Sequence, residues 1–233
     1  MLSVKDLHAY YGRAHILHGV SLETKAGEVV ALLGRNGAGK STTMKAIMGL
    51  VPPARGEVCF AERRIDRLAP YRIARLGLGY VPEERRIFTE LTVIENLSVG
   101  RQPARRGAPT WTEDRLFALF PNLGRMRDRS GGRMSGGEQQ MLTIARTLMG
   151  NPRCLMLDEP SEGLAPIIVE QMAQSIRALK EQGLSVLLSE QNLHFCQAVA
   201  DRAYIIEKGE IRFGGTMAEL AADAALREQY LSV

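Results

Sequence analysis

One nine-residue stretch decides how this chain folds: Gly34-Arg35-Asn36-Gly37-Ala38-Gly39-Lys40-Ser41-Thr42. Residues 34–41 match the pattern G-x-x-x-x-G-K-[ST]. The apolar run 29–33 before it predicts a buried strand, and residues 42–48 after it predict the first turns of a helix. Glycine lets successive backbone N–H groups converge on phosphate oxygens, and a helix N-terminus adds a favourable dipole. The whole stretch is therefore predicted to bind the phosphate groups of ATP or GTP.

A second motif supplies acidic residues that suit this phosphate loop: Leu155-Met156-Leu157-Asp158-Glu159-Pro160. In the loop itself, Lys40 is predicted to reach the β- and γ-phosphates and Ser41 to bind Mg²⁺. Asp158 is predicted to hold Mg²⁺ beside Ser41. Glu159 stands one residue further on, where a carboxylate can polarise an attacking water. The alternative, two solvated turn carboxylates, is disfavoured by the phosphate loop in the same chain.

A third motif predicts a second site for an anion: Met134-Ser135-Gly136-Gly137-Glu138-Gln139-Gln140. Ser135 is suited to cap a helix, and the two glycines leave backbone amides exposed at its positive end. A flexible loop is the simpler alternative. One ATP needs only one phosphate loop, so the spare site suggests that a second protein copy closes over the nucleotide.

Composition narrows the class of protein. The 233 residues are 45% hydrophobic and 24% charged, as in soluble globular domains. The net charge is +4, and the densest basic patch, Arg101 to Arg106, lies beside Pro and Gly. This favours a solvated loop over a nucleic-acid footprint. The three cysteines form no C-x-x-C pair, which favours a reduced cytoplasm. The N-terminus lacks the apolar core of a signal peptide, and no apolar run approaches the ~18 residues of a membrane span.

The order of predicted elements indicates an α/β fold. Antiparallel strands are expected over residues 2–33 and 56–60, and a buried strand over 78–81. Residues 92–150 carry amphipathic helical stretches broken by prolines, with helices expected at 93–99, 113–120 and 137–149. After them come a strand at 154–157, a helix at 166–181, a strand at 185–188 and a hairpin at 203–213. Such alternation predicts a mainly parallel sheet covered on both faces, with phosphates at the carboxyl ends of its strands.

The three motifs, in this order, resemble those of the ATP-binding subunit of ABC transporters. The resemblance covers essentially the whole chain and implies a P-loop NTPase fold that binds ATP and Mg²⁺. It implies a single ABC ATPase domain over 1–233. Within it, a RecA-like core with an antiparallel β subdomain would comprise 1–86 and 153–233, and a helical subdomain with the signature motif would comprise 87–152.

The resemblance also assigns roles to residues outside the phosphate loop. Tyr11 matches the aromatic residue that stacks on adenine, although Tyr10 is its neighbour. Glu83 matches the position that senses the γ-phosphate and Mg²⁺ and contacts the membrane partner. Residues 134–138 match the signature that caps the ATP of a partner subunit, and its candidate nucleotide-binding residues are Ser135, Gly136, Gly137 and Glu138. Gln191 matches the switch position, and His194 is interpreted as a residue of the following helix.

Several positions depart from the usual pattern of the family. Glu83 replaces Gln, Glu138 replaces Gln, Met134 replaces Leu, Ala165 replaces Asp, and Gln191 replaces His. With their flanking residues, these positions look like one of two paired ATPases of bacterial branched-chain amino-acid importers. Urea and short-chain amide importers have similar subunits. Lipopolysaccharide export ATPases share much of the pattern but usually keep the switch His.

The resemblance implies partners as well. These are a second ATP-binding subunit in a head-to-tail heterodimer or homodimer, two transmembrane permease subunits, and a periplasmic or extracellular substrate-binding protein. The expected location is the cytoplasmic face of the cell membrane, and no nucleic acid is expected. Two other hypotheses are a nucleotide-dependent switch that hardly hydrolyses ATP and a soluble ABC ATPase of translation or DNA repair. Translation-type relatives usually carry two ATPase units, and the repair type a long coiled coil; this chain shows neither.

Overall fold

A computed structural model describes residues 1–231 of the chain. Residues 232–233, at the end of the expected domain, lie outside the described residues. The strands are β1 (Leu2–Tyr11), β2 (Ala14–Thr24), β3 (Val29–Leu33), β4 (Arg55–Phe60), β5 (Arg63–Arg64), β6 (Leu78–Val81), β7 (Cys154–Asp158), β8 (Ser185–Glu190), β9 (Arg202–Glu207) and β10 (Glu210–Thr216).

The helices cover the sheets and fill the segment between β6 and β7. They are α1 (Lys40–Ile47), α2 (Pro70–Leu76), α3 (Val93–Gly100), α4 (Glu113–Leu119), α5 (Pro121–Gly124), α6 (Gly136–Leu148), α7 (Pro166–Glu181), α8 (Leu193–Val199), α9 (Met217–Ala222) and α10 (Ala224–Leu231). A short 3₁₀ helix spans Gly131–Arg133. None of the helices described within residues 1–231 is long and apolar enough to cross a membrane.

The strands form two sheets. The larger has the order β10-β9-β3-β8-β7-β6, in which β9, β3, β8, β7 and β6 run parallel and β10 pairs antiparallel at one edge. The smaller has the order β2-β1-β4-β5 and is antiparallel. This arrangement confirms the predicted α/β fold with an antiparallel sheet formed early in the chain.

Two hydrophobic clusters lie on opposite faces of the larger sheet. Val29, Ala31 and Leu33 of β3 enter one cluster, with the helical insertion, α7 and α8. Val30 and Leu32 enter the other, with α1 and the smaller sheet. Because both faces of β3 are covered, its sequence is continuously apolar rather than alternating.

The helical insertion follows the sequence closely. The predicted helices 93–99, 113–120 and 137–149 correspond to α3, α4 and α6 within one residue at each end. A capping box of Thr92 and Glu95 begins α3. Asn96, which is buried, accepts from the Phe88 N–H, and its Nδ2 lies 3.0–3.1 Å from three backbone carbonyl oxygens, so it ties the preceding loop to this helix. No helix was predicted at α2, α5, α9 or α10.

Candidate nucleotide-binding site

The phosphate loop connects β3 to α1, as its sequence predicts. Gly39, just before α1, has φ of 113°, a conformation that favours glycine. At Gly34 a Cβ atom would lie 2.5 Å from the carbonyl oxygen of Ile206 on the neighbouring strand. Both glycines are therefore required by backbone geometry, one by its positive φ and the other by close approach.

Lys40 lies at the centre of this loop and is almost fully buried. Its Nζ donates to the carbonyl oxygens of Gly34 at 2.7 Å and Arg35 at 3.0 Å. It also forms an ion pair of 3.1 Å with Oε1 of Glu159. The structure thus joins the phosphate loop directly to the second acid of the Asp158-Glu159 motif, a contact that the sequence analysis did not anticipate.

Asp158 ends β7 and is surrounded by hydroxyl groups. Its Oδ1 accepts from Ser41 Oγ at 3.0 Å and Ser189 Oγ at 2.6 Å, and its Oδ2 accepts from Tyr80 at 2.9 Å. A carboxylate and a serine hydroxyl in contact are oxygen ligands of the kind Mg²⁺ prefers, so the predicted pair of Ser41 and Asp158 fits that ion. Tyr80 and Ser189 were not predicted as site residues from the sequence. Both belong to strands β6 and β8 that flank β7, and this adjacency was the available signal.

Glu159 and Gln191 are also brought together. Gln191 Nε2 donates to Oε2 of Glu159 at 3.0 Å, while Oε1 faces Lys40. Burial alone would raise the pKa of Glu159, but hydrogen bonds from Glu162, Lys40 and Gln191, with the charge of Lys40, hold that pKa below its ordinary value. A hydrogen bond to Glu159, together with burial, raises the pKa of Glu162 to about 7. Glu159 therefore holds a negative charge more readily than Glu162 does.

A cleft of about 320 Å³ opens above these groups. It is lined by Tyr11, Ile16, Asn36, Gly37, Gly39, Lys40, Ser41, Thr42, Glu83 and Glu159. Tyr11 is half-exposed at its edge, whereas Tyr10 stacks on His15 with ring centroids 4.1 Å apart. Burial and the charges of Glu159 and Asp158 raise the pKa of Glu83. Glu83 is thus placed where a cation would be favoured.

The signature residues stand apart from this cleft, at the beginning of α6. Ser135 caps the helix and accepts from the Glu138 N–H at 3.4 Å, while Glu138 accepts from the Ser135 N–H at 2.7 Å. None of the four residues 135–138 lines the cleft that holds Lys40. His194 lies in α8, which Asn192 caps, as expected of a helix residue.

Comparison with known proteins supports the resemblance to ATP-binding subunits of ABC transporters. A family profile described as ABC transporter matches residues 17–162. The chain is 42% identical over 231 residues to a high-affinity branched-chain amino acid transport ATP-binding protein, BraG, of Pseudomonas aeruginosa, with 99% of each chain covered. It is 37% identical over 232 residues to the lipopolysaccharide export system ATP-binding protein LptB of Escherichia coli, covering 99% of this chain and 96% of that protein. A solved ATP binding subunit of an ABC transporter superposes with a TM-score of 0.82 at 30% identity, covering 97% of this chain and 94% of that one.

Proposed function

Since this chain belongs to the ABC transporter family, whose ATP-binding subunits hydrolyse ATP to power transport, we propose that it drives a branched-chain amino-acid importer. The full-length similarity to BraG supports this substrate class. Gln191 at the switch position supports it as well, because lipopolysaccharide export ATPases usually keep His there. The alternatives are a urea or short-chain amide importer and, from the similarity to LptB, a lipopolysaccharide export system.

One observation carries the proposed chemistry: Lys40, Glu159 and Gln191 form a continuous chain of contacts beneath the cleft, next to Asp158. In this proposal, phosphate oxygens of bound ATP replace the carbonyl and carboxylate partners of Lys40 Nζ. Ser41, Asp158 and Glu83 would hold Mg²⁺, which would neutralise charge on the phosphate chain. Tyr11 stacks on the base at the edge of the cleft.

Glu159 is the proposed general base. Its lowered pKa keeps it ionised at neutral pH, so it can accept a proton from the attacking water. Gln191 holds the other oxygen of that carboxylate. Its amide has no useful proton-transfer pKa, so its role is to position Glu159 rather than to transfer a proton.

The second anion site supports a dimer. Gly136 and Gly137 begin α6 and do not line the cleft of their own chain, and amides at a helix N-terminus favour an anion. In a head-to-tail pair, residues 135–137 of each chain cap the γ-phosphate bound by the other. Glu138 keeps Ser135 in place through the capping box. Two paired but different subunits fit the branched-chain assignment, and a homodimer is the alternative.

An apolar groove supports docking of membrane subunits. The groove is about 590 Å³ and runs between α2, β6 and the helical insertion. Its exposed apolar side chains are Leu50, Tyr71, Phe88 and Val99. A short cytoplasmic helix of a permease subunit fits such a surface, and Tyr80 connects the groove wall to Asp158. In this proposal the chain sits peripherally at the cytoplasmic face of the cell membrane, with two permease subunits and an external substrate-binding protein. We also propose that residues 87–152 form the helical subdomain.

Glu159→Gln tests the catalytic assignment. The side chain keeps its size but cannot accept the proton, so kcat should fall by about 10²–10⁴-fold while ATP affinity survives. Glu181→Gln, the same change at an exposed position in α7, is the control and should retain wild-type turnover. Turnover of Glu159→Gln within about tenfold of wild type, worth ~1.4 kcal/mol in barrier, contradicts the assignment.

The transported substrate needs a cellular test. Uptake of labelled leucine and labelled urea is compared in a deletion strain with and without the gene. Loss of leucine uptake alone supports the proposal. Loss of urea uptake, or a defect in surface lipopolysaccharide with leucine uptake unchanged, supports one of the alternatives instead.

A further inference from the structure

Glu190 is a buried carboxylate that the chemistry above does not use. It ends β8, directly before Gln191, and is 2% exposed. Its Oε1 accepts from the backbone N–H of Ser161 at 2.9 Å. Its Oε2 accepts from the backbone N–H groups of Gln191 at 3.1 Å and Asn192 at 3.3 Å. Both carboxylate oxygens therefore hold loop backbone.

These bonds, together with one to the backbone carbonyl oxygen of Glu190, connect three loops near the cleft. Ser161 is two residues after Glu159, and Gln191 and Asn192 form the turn between β8 and α8. The carbonyl oxygen of Glu190 also accepts from the N–H of Gly34, the first residue of the phosphate loop, at 3.3 Å. One residue thus fixes the phosphate loop, the segment after Glu159 and the turn that carries Gln191.

Backbone donors, rather than a cation, stabilise this carboxylate. No Lys, Arg or His forms an ion pair with Glu190 in the described part of the chain. Burial raises the pKa of Glu190, and the bonds from Ser161, Asn192 and Gln191 oppose that shift. Hydrogen bonds to a charged acceptor are stronger than neutral ones, so the segment after Glu159 and the turn at Gln191 are held more firmly than ordinary turns.

We propose that Glu190 is a positioning residue for ATP hydrolysis, which fixes the Gln191 backbone so that the Gln191 amide holds Glu159. The geometric link is short: the Gln191 N–H binds Glu190, and the Gln191 side chain binds Glu159 at 3.0 Å. Movement of the turn would swing the amide away from Oε2 of Glu159. This inference rests on the proposed roles of Glu159 and Gln191.

Glu190→Gln is the first test. The amide keeps the shape of the side chain but replaces one acceptor oxygen with a donor NH₂, which must face a backbone N–H. With full-length protein and Mg·ATP, kcat should fall by about tenfold or more, while KM and the Kd for a fluorescent ATP analogue stay within about threefold. Glu190→Asp keeps two acceptor oxygens and should recover part of kcat. Glu181→Gln again serves as the control.

A double-mutant cycle with Gln191→Ala separates positioning from general stability. If Glu190 acts through Gln191, Glu190→Gln should lower kcat much less in the Gln191→Ala background than in wild type. If the double variant loses kcat by the product of the two single fold-losses, the proposal is overturned. So does unchanged kcat in Glu190→Gln, or equal loss of kcat and ATP affinity. If Glu190→Gln does not fold, the same cycle is run with Glu190→Asp.

The Glu159→Gln variant, measured in parallel, separates the proposed role of Glu159 as general base from the positioning role of Glu190. Activity that survives Glu159→Gln rejects the proposed general base itself. Loss of activity in Glu159→Gln with normal kcat in Glu190→Gln rejects only the positioning role of Glu190.

Discussion

The Tyr80→Phe substitution removes one hydroxyl group. It should destabilise the nucleotide-free protein more than the protein bound to Mg·ATP. Tyr80 donates to Oδ2 of Asp158 at 2.9 Å, and Asp158 is 1% exposed. Burial and the charge of Asp158 raise the pKa of Tyr80, so its hydroxyl stays protonated and remains a donor. Phenylalanine keeps the ring but leaves a buried carboxylate oxygen without a donor.

The expected cost follows from the charge on the acceptor. A hydrogen bond to a charged group contributes about 1.5–3 kcal/mol. For a chain of this length each kcal/mol shifts Tm by about 2–4 °C, so Tm should fall by about 3–12 °C. Thermal unfolding followed by circular dichroism measures this loss. With Mg·ATP the gap from wild type should narrow, because a cation beside Asp158 replaces part of the lost interaction.

Tyr71→Phe is the matched control. Tyr71 is 56% exposed, and its hydroxyl accepts from the neighbouring Arg72 side chain at 3.2 Å. Water can replace that bond, so the change in stability should stay within about 0.5 kcal/mol. If Tyr80→Phe lowers Tm no more than Tyr71→Phe does, the hydroxyl network around Asp158 does not stabilise the protein as argued.

Three further predictions concern stability. Partial burial and two neighbouring imidazoles lower the pKa of His15 below its ordinary 6.5. The unfolded chain therefore binds that proton first, and the free energy of unfolding should fall as pH drops below 6.5. His15→Asn should flatten this part of a curve of Tm against pH, and an unchanged slope contradicts it. A Cβ at Gly209 would lie 1.9 Å from the Ile16 carbonyl oxygen. In urea denaturation, Gly209→Ala should lower the free energy of unfolding by at least about 3 kcal/mol. Gly183→Ala, where φ is similar and the space is open, should lower it by about 1 kcal/mol. Equal losses in the two variants would contradict this prediction. Asn96→Ala leaves buried backbone groups unpaired and should cost about 2–4 kcal/mol in the same assay, so a loss under about 1 contradicts it.

The local elements of the site could be predicted because their signals are local. A continuous apolar run predicts a doubly covered strand such as β3, and a glycine loop followed by Lys40 predicts a strand-to-helix turn. Ser135 with Glu138 three residues later predicts the start of α6. Each of these patterns lies within about ten residues of sequence.

The contacts between motifs could not be predicted in the same way. The bond from Tyr80 to Asp158 depends on β6 lying beside β7. The ion pair of Lys40 with Glu159 depends on side-chain direction at the start of α1 and just after β7. Neither appears in a single stretch of sequence. The missed helix α2 is different: Pro70 at its first turn and Gly77 at its end are local signals that were present.

Strand β3 supplies side chains to both hydrophobic clusters, and this sharing has a consequence for how the protein opens. Neither layer can separate without exposing the other, so the two should unfold as one cooperative unit. The amides of β3 should then exchange hydrogen with solvent among the slowest in the chain. Since the phosphate loop begins directly after β3, a nucleotide that binds only the folded chain raises the cost of opening the entire unit. Occupancy of the cleft should therefore be readable as slower exchange at amides on the far side of the sheet.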